Sequence, residues 1–177
     1  MIYKWAILIF LRPVKVWKEI ADNSVSAWLI LAILIVPFSA ITSFATDQKL
    51  DVKDPDFLLR AVIYIISVVS SIVIGSYMLW RMLPRFLSSG SLQKVIKLVS
   101  YSYMAVFLAF ILASMHDQLD FIKFFGLYSA IIYWIGLSYM LNTPDDRKMG
   151  FLVISGIILT GIGYVFSIVL NNLFLKI

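Results

Sequence analysis

The residues best equipped for chemistry in water stand together: Asn142-Thr143-Pro144-Asp145-Asp146-Arg147-Lys148 brings two carboxylates, two cations, an amide and a proline into one short stretch. The nearest other charged residues are Lys123 before it and Lys176 after it. Arg147 and Lys148 could hold a lipid phosphate by charge-assisted hydrogen bonds, and Asp145-Asp146 could dock a partner. The same residues also make an ordinary turn between antiparallel helices. In that reading Thr143 or Asp145 caps the next helix, Pro144 falls at or near its first position, and the acids favour its positive N-terminus. The two readings are compatible.

Other clusters are weaker. His116 with Asp117 and Asp120 has ligand types that suit divalent ions, yet offers too few fixed donors for a metal site. Asp47, Asp51, Asp54 and Asp56 partly alternate in the manner of a calcium loop, but Lys49 and Lys53 interrupt them and the turn glycine and closing Glu are missing. Both stretches read as solvated loops. The chain has no cysteine, which excludes disulfides, thiol nucleophiles and thiolate-held metals. No GxxxxGK[ST] or GxGxxG motif occurs, so nucleotide binding has no motif to support it. A hydrolase in the membrane would need a Ser or acid with a base, or a metal. The expectation is a protein without catalytic, cofactor or metal residues.

The elements that hold these residues are written in the composition. Of 177 residues 62% are hydrophobic and 14% charged, with a mean hydropathy of +0.95. Soluble domains carry roughly 25% charge, so lipid is this chain's solvent. The net charge of +5 does not indicate nucleic acid, because the cations are dispersed at segment ends. Five segments are long enough to cross about 30 Å of hydrocarbon: 25–45, 61–80, 98–115, 124–141 and 149–175. None contains Asp, Glu, Lys, Arg or His. Continuous apolar runs without period-two alternation exclude a barrel. The predicted fold is an all-α integral membrane protein: five transmembrane helices preceded by an N-terminal interfacial amphipathic helix, in one domain over 1–177.

That interfacial helix occupies 1–22. Lys4, a short apolar run and Arg12-Pro13 do not make a secretory signal, so the segment is expected to be retained. After Pro13, Val16, Trp17 and Ile20 share one face, and Arg12, Lys15, Glu19 and Asp22 another. The pattern predicts Trp17 at headgroup level with Arg12, Lys15 and Lys18 toward anionic lipid. With the N-terminus in the cytoplasm, ten cations fall inside and five outside. The positive-inside bias therefore predicts a multi-pass protein of the cell membrane, of prokaryotic cytoplasmic type, with its C-terminus outside.

Within the spans, Ser67, Ser71 and Gly75 form a stripe at i, i+4, i+8, and Gly156 and Thr160 a similar pair. Small residues in rows let helices approach closely, within one chain or between chains; a narrow polar path for solute is the functional alternative. Pro37 should kink the first span. Proton relays and ion-coupled carriers place ionisable groups at membrane depth, and the sequence predicts none between the interfaces.

The chain resembles the Yip1 domain family in its short prokaryotic form. Three stretches carry the likeness: Leu11-Arg12-Pro13-Val14-Lys15-Val16-Trp17-Lys18-Glu19-Ile20; Gly90 to Ser102 at the entry to the third span; and Gly136 with Asn142 to Lys148. The family's frequent Pro early in the third span is absent, since this chain reads Tyr103-Met104-Ala105-Val106. The resemblance implies a five-span membrane protein without catalytic residues. Eukaryotic relatives look like trafficking factors that bind small GTPases through a soluble N-terminal region. Only twenty-odd residues precede the first span here, so that activity is not carried over. The expected role is membrane organisation or partner binding. The lipid bilayer and a second copy or another membrane protein are the partners, and nucleic acid is not. A small permease or channel for a neutral or lipidic solute is the alternative.

Overall fold

A computed structural model describes residues 1–46 and 57–175, so the acidic stretch from Asp47 to Asp56 lies outside the described residues. The chain folds as α1 (Ile2–Leu11), α2 (Pro13–Asp22), α3 (Ala27–Ala45), α4 (Phe57–Met82), α5 (Leu92–Ser114), a 3-10 helix (Asp117–Leu127), α6 (Tyr128–Leu141) and α7 (Asp145–Phe174). Five of these helices are long and apolar enough to cross a membrane, as the hydropathy predicts. The charged flanks continue the helices: α5 begins early enough to include Lys94 and Lys97, and α7 starts at Asp145. At the other boundary the fourth span departs from expectation. Its start is wound as a 3-10 helix, with Gly126 close to Val106 and Ala109 of α5, and α-geometry begins only at Tyr128.

Burial is uneven. Over its most apolar stretch α5 is two thirds (67%) buried, against 11% for α7. Helix α5 packs on α3, α4, α6 and the 3-10 helix, whereas α7 leans chiefly on α4. Its other faces carry Val153, Ile157, Tyr164, Val165 and Val169 outward. At one end of the bundle the short 3-10 turn Leu83–Phe86 and the loop to Gly90 meet the end of α6, where the Ser89 N–H donates to the Leu141 carbonyl at 2.8 Å. This end also holds Arg81, Arg85, Lys94, Arg147 and Lys148 and is called the cation-rich end below.

The interfacial segment is two helices, broken at Arg12, where φ is −143°. They fold back as a hairpin: Trp5 Nε1 donates to Glu19 Oε2 at 3.0 Å, and Asn23 Nδ2 lies 3.6 Å from Met1 Sδ. The break has a simple cause, because Pro13 disfavours α-geometry at the residue before it and is at home at the first position of a new helix.

Pro37 leaves its mark one turn upstream. It brings no N–H for the carbonyl of Ile33, and the backbone over Leu31–Ile35 loosens into a π-turn. The Tyr3 hydroxyl from α1 donates to that Ile33 carbonyl at 2.9 Å. A helix break in the first span thus becomes a latch for the N-terminal hairpin. Tyr3→Phe should cost about 1 kcal/mol of stability. In a Pro37→Ala background, where the substituted residue supplies an N–H, the same change at Tyr3 should cost less. A double-mutant cycle by thermal unfolding in detergent checks this, and equal costs in both backgrounds would refute the latch.

Candidate functional site

Three regions carry the residues singled out by sequence. The first is the turn between α6 and α7. Asn142 adopts the left-handed conformation (φ 50°, ψ 37°), which its short amide tolerates, and the Thr143 N–H reaches back to the Leu137 carbonyl at 3.2 Å. The expected helix caps are corrected. Pro144 itself occupies the cap position of α7, and no side chain caps it. Thr143 is buried, and its Oγ1 accepts from the Ser88 hydroxyl at 2.9 Å, tying this turn to the loop after α4. Asp145 and Asp146 fall in the first turn of α7, where the helix dipole favours them. Lys148 is buried, ion-paired to Asp145, with its ammonium 5.9 Å from the centre of the Trp134 ring. It is therefore not presented to a phosphate. Arg147 is exposed, 3.3 Å from Asp146.

The second region is the hairpin. Trp17, expected among headgroups, is instead fully buried. Its indole N–H donates to the Ile132 carbonyl at 3.0 Å, and its ring meets Tyr101 edge-on at 6.2 Å. It fits only because residue 136 is glycine: a Cβ there would come within 2.8 Å of the indole and also strike Leu98. Val16 and Ile20 are buried with it, so the apolar face of α2 packs into the bundle and not into lipid. The polar face keeps Arg12, Lys15, Lys18 and Glu19 exposed, with the Lys18 ammonium 5.6 Å from the Tyr139 ring centre.

Helix α2 follows α6 in register. Phe10, beside the break, stacks on Tyr128, whose hydroxyl donates to the Phe10 carbonyl at 3.2 Å. At the opposite end of the hairpin the Lys97 ammonium donates to the Asn23 carbonyl at 2.9 Å. The 14 residues of α6 rise about 21 Å from the cation-rich end to Tyr128. That places the hairpin tip deep along the bundle and far from the Asp145–Lys148 turn, whereas Lys18, over Tyr139, lies near the end of α6 that leads into it.

The third region is the small-residue rows. Ser67, Ser71 and Gly75 are buried. The Ser71 hydroxyl donates to the Leu159 carbonyl, and a Cβ on Gly75 would come within 2.5 Å of Leu159. Gly156 and Thr160 are exposed, and a Cβ on Gly156 would touch nothing within 4 Å. They line a groove of about 240 Å³ between α5, α6 and α7, together with Ser102, Tyr103, Ser129, Tyr133 and Ser155. Sequence reasoning missed these hydroxyls. Tyr133 donates to Ser155 at 2.8 Å and Ser155 to the Phe151 carbonyl at 2.6 Å, a pairing across helices that no local spacing announces. His116 lies at the far end of α5 from the Asp145–Lys148 turn, its Nδ1 accepting from the Gln118 N–H at 3.2 Å. Among the described residues no three His, Cys, Asp or Glu side chains converge as metal ligands.

Five apolar spans around a central third helix, with a turn but no reactive constellation among the described residues, define a polytopic helical membrane protein. Its profile match is to the Yip1 domain over residues 7–168, and the chain belongs to that family. Neither the curated proteins nor the solved structures contain a match. The matched range takes in the second helix of the hairpin, so the hairpin's docking helix is part of the family unit.

Gly136→Ala should drive Trp17 from its slot and destabilise the protein by about 1–3 kcal/mol, as overpacking does. Limited trypsin digestion of the full-length protein in detergent should then cut faster at Arg12, Lys15 and Lys18. Unchanged cutting would mean that the hairpin is not held by this contact.

Proposed function

We propose that the protein is a non-catalytic organiser of the membrane that holds another membrane-spanning helix, from a second copy or from a different membrane protein, along α7. The observation that carries this reading is the groove between α6 and α7 with its exposed Gly156 and Thr160. Lipid tails give an isolated span no hydrophobic reason to associate, so close backbone approach at small residues and cross-helix hydroxyl bonds supply the attraction. Gly156 supplies the first, and Thr160 with Ser129 the second. Helix α7 is long, leans mainly on α4 and leaves that side unfilled. The exposed Asp145, Asp146 and Arg147 at its start offer a polar contact to the same partner in the headgroup zone. By the positive-inside bias the cation-rich end faces the cytoplasm and the C-terminus lies outside.

A permease or channel for a neutral or lipidic solute would draw on the same hydroxyls. Against it, Ser71 is engaged with the Leu159 carbonyl, and the groove is lined by Gly156, which is exposed well inside the length of α7.

The chain has no cysteine, so Thr160→Cys gives a single crosslinking site. Crosslinking in native membranes should trap a partner there, and Gly156→Leu should abolish the product while leaving thermal stability unchanged, because nothing in the fold occupies that space. Crosslinking that captures neither a second copy nor another protein would sink the proposal.

A further inference from the structure

The α1–α2 hairpin sets three cations at an unusual place. Arg12, Lys15 and Lys18 are exposed on its outer face and, with Pro13 and Val14, line a shallow groove of about 430 Å³. Depth follows from the contacts. On α5, Lys97 and His116 bracket the charge-free length, roughly 28 Å apart at 1.5 Å per residue. Phe10 reaches α5 between them, beside Ala105, Leu108 and Leu112. The hairpin therefore enters from the cation-rich end, where Asn23 is held by Lys97, and carries Arg12 to about the middle of the hydrocarbon.

A bare guanidinium or ammonium is costly there unless an anion or water accompanies it. Among the described residues no carboxylate is ion-paired to Arg12, Lys15 or Lys18; Asp145 and Asp146 are taken by Lys148 and Arg147 in the distant turn. The hairpin's own acids, Glu19 and Asp22, form no ion pair with these cations either; the Glu19 carboxylate accepts from the Trp5 indole. Lysine can bend its head toward the headgroups, as Lys18 does over Tyr139. Arg12 starts deepest and has the furthest to reach.

We propose that this groove is a phospholipid site: the phosphate of a lipid from the leaflet on the cation-rich side is drawn inward to Arg12, Lys15 and Lys18, and that leaflet thins around the hairpin. Arg12 supplies a planar fork for two phosphate oxygens, and the two lysines add point charges along the path from the headgroup zone. Val14, exposed between them, lies along the lipid's acyl chains. The same cations could take a free phosphate ion, but a soluble anion has no apolar tail to carry it to this depth. This site is independent of the α7 groove.

The test uses full-length protein in detergent and counts retained lipid by native mass spectrometry. The wild type should retain phosphatidylglycerol in preference to diacylglycerol, which lacks the phosphate. Arg12→Gln/Lys15→Gln/Lys18→Gln should bind phosphatidylglycerol roughly tenfold more weakly, while Arg81→Gln/Arg85→Gln should not. Equal retention by wild type and triple variant would overturn the proposal, as would inorganic phosphate competing as well as the lipid. A nitroxide on Val14→Cys in otherwise unchanged protein, in vesicles of phosphatidylethanolamine and phosphatidylglycerol, gives an independent reading. It should lie at hydrocarbon depth yet remain accessible to a polar relaxation agent. A headgroup-level or wholly dry reading would refute the site even if the triple variant failed to fold.

Discussion

A backbone carbonyl in hydrocarbon has no water to fall back on, and leaving one unpaired costs several kcal/mol. Much of this structure is an answer to that constraint. Two carbonyls freed by a helix break or end meet a donor from another element, Ile33 from Tyr3 and Phe10 from Tyr128. At Ile132 and Leu159 a buried donor, Trp17 or Ser71, finds its acceptor on a neighbouring helix. Three of the four involve the N-terminal hairpin. Its docking is fixed by directional bonds to backbone as well as by packing, which suits a medium where apolar contact alone discriminates little between protein and lipid.

The same logic explains the uneven burial. Helix α5 is surrounded, and its buried Ser100, Ser102 and Tyr101 are shielded from lipid by neighbours. Helix α7 tolerates a mostly lipid-facing surface because most of its outward residues are aliphatic or aromatic. Its one polar seam faces α4 and α6: Ser155 toward Tyr133, and Gly163 toward Ser71. Outside that seam Gly156, Thr160 and Gly161 are exposed and give lipid little apolar surface, and the first two line the α7 groove.

The spans and the fold class were legible because an uninterrupted apolar run of some twenty residues has few other solutions. Gly136 was legible as part of the family likeness, but its reason was not, since nothing local says that a tryptophan more than a hundred residues earlier must fit against it. The hairpin was half legible. An amphipathic ten-residue helix satisfies its apolar face equally well in headgroups or in a groove between helices, and periodicity is the same in both cases. The choice between them depends on the space left beside α6, which only the tertiary structure reveals. The hydroxyl pairs of the groove were invisible for a similar reason: Ser and Tyr in an apolar run look like tolerated polar residues until their partners are known.

The hairpin's partners also impose an order in time. Residues 1–22 leave the ribosome before Ile33, Lys97, Tyr128 and Ile132, the residues that hold them. The hairpin thus waits for partners made after it before it can find its place. Until α6 is in place, the slot beside Gly136 and Ile132 that takes the Trp17 indole does not exist.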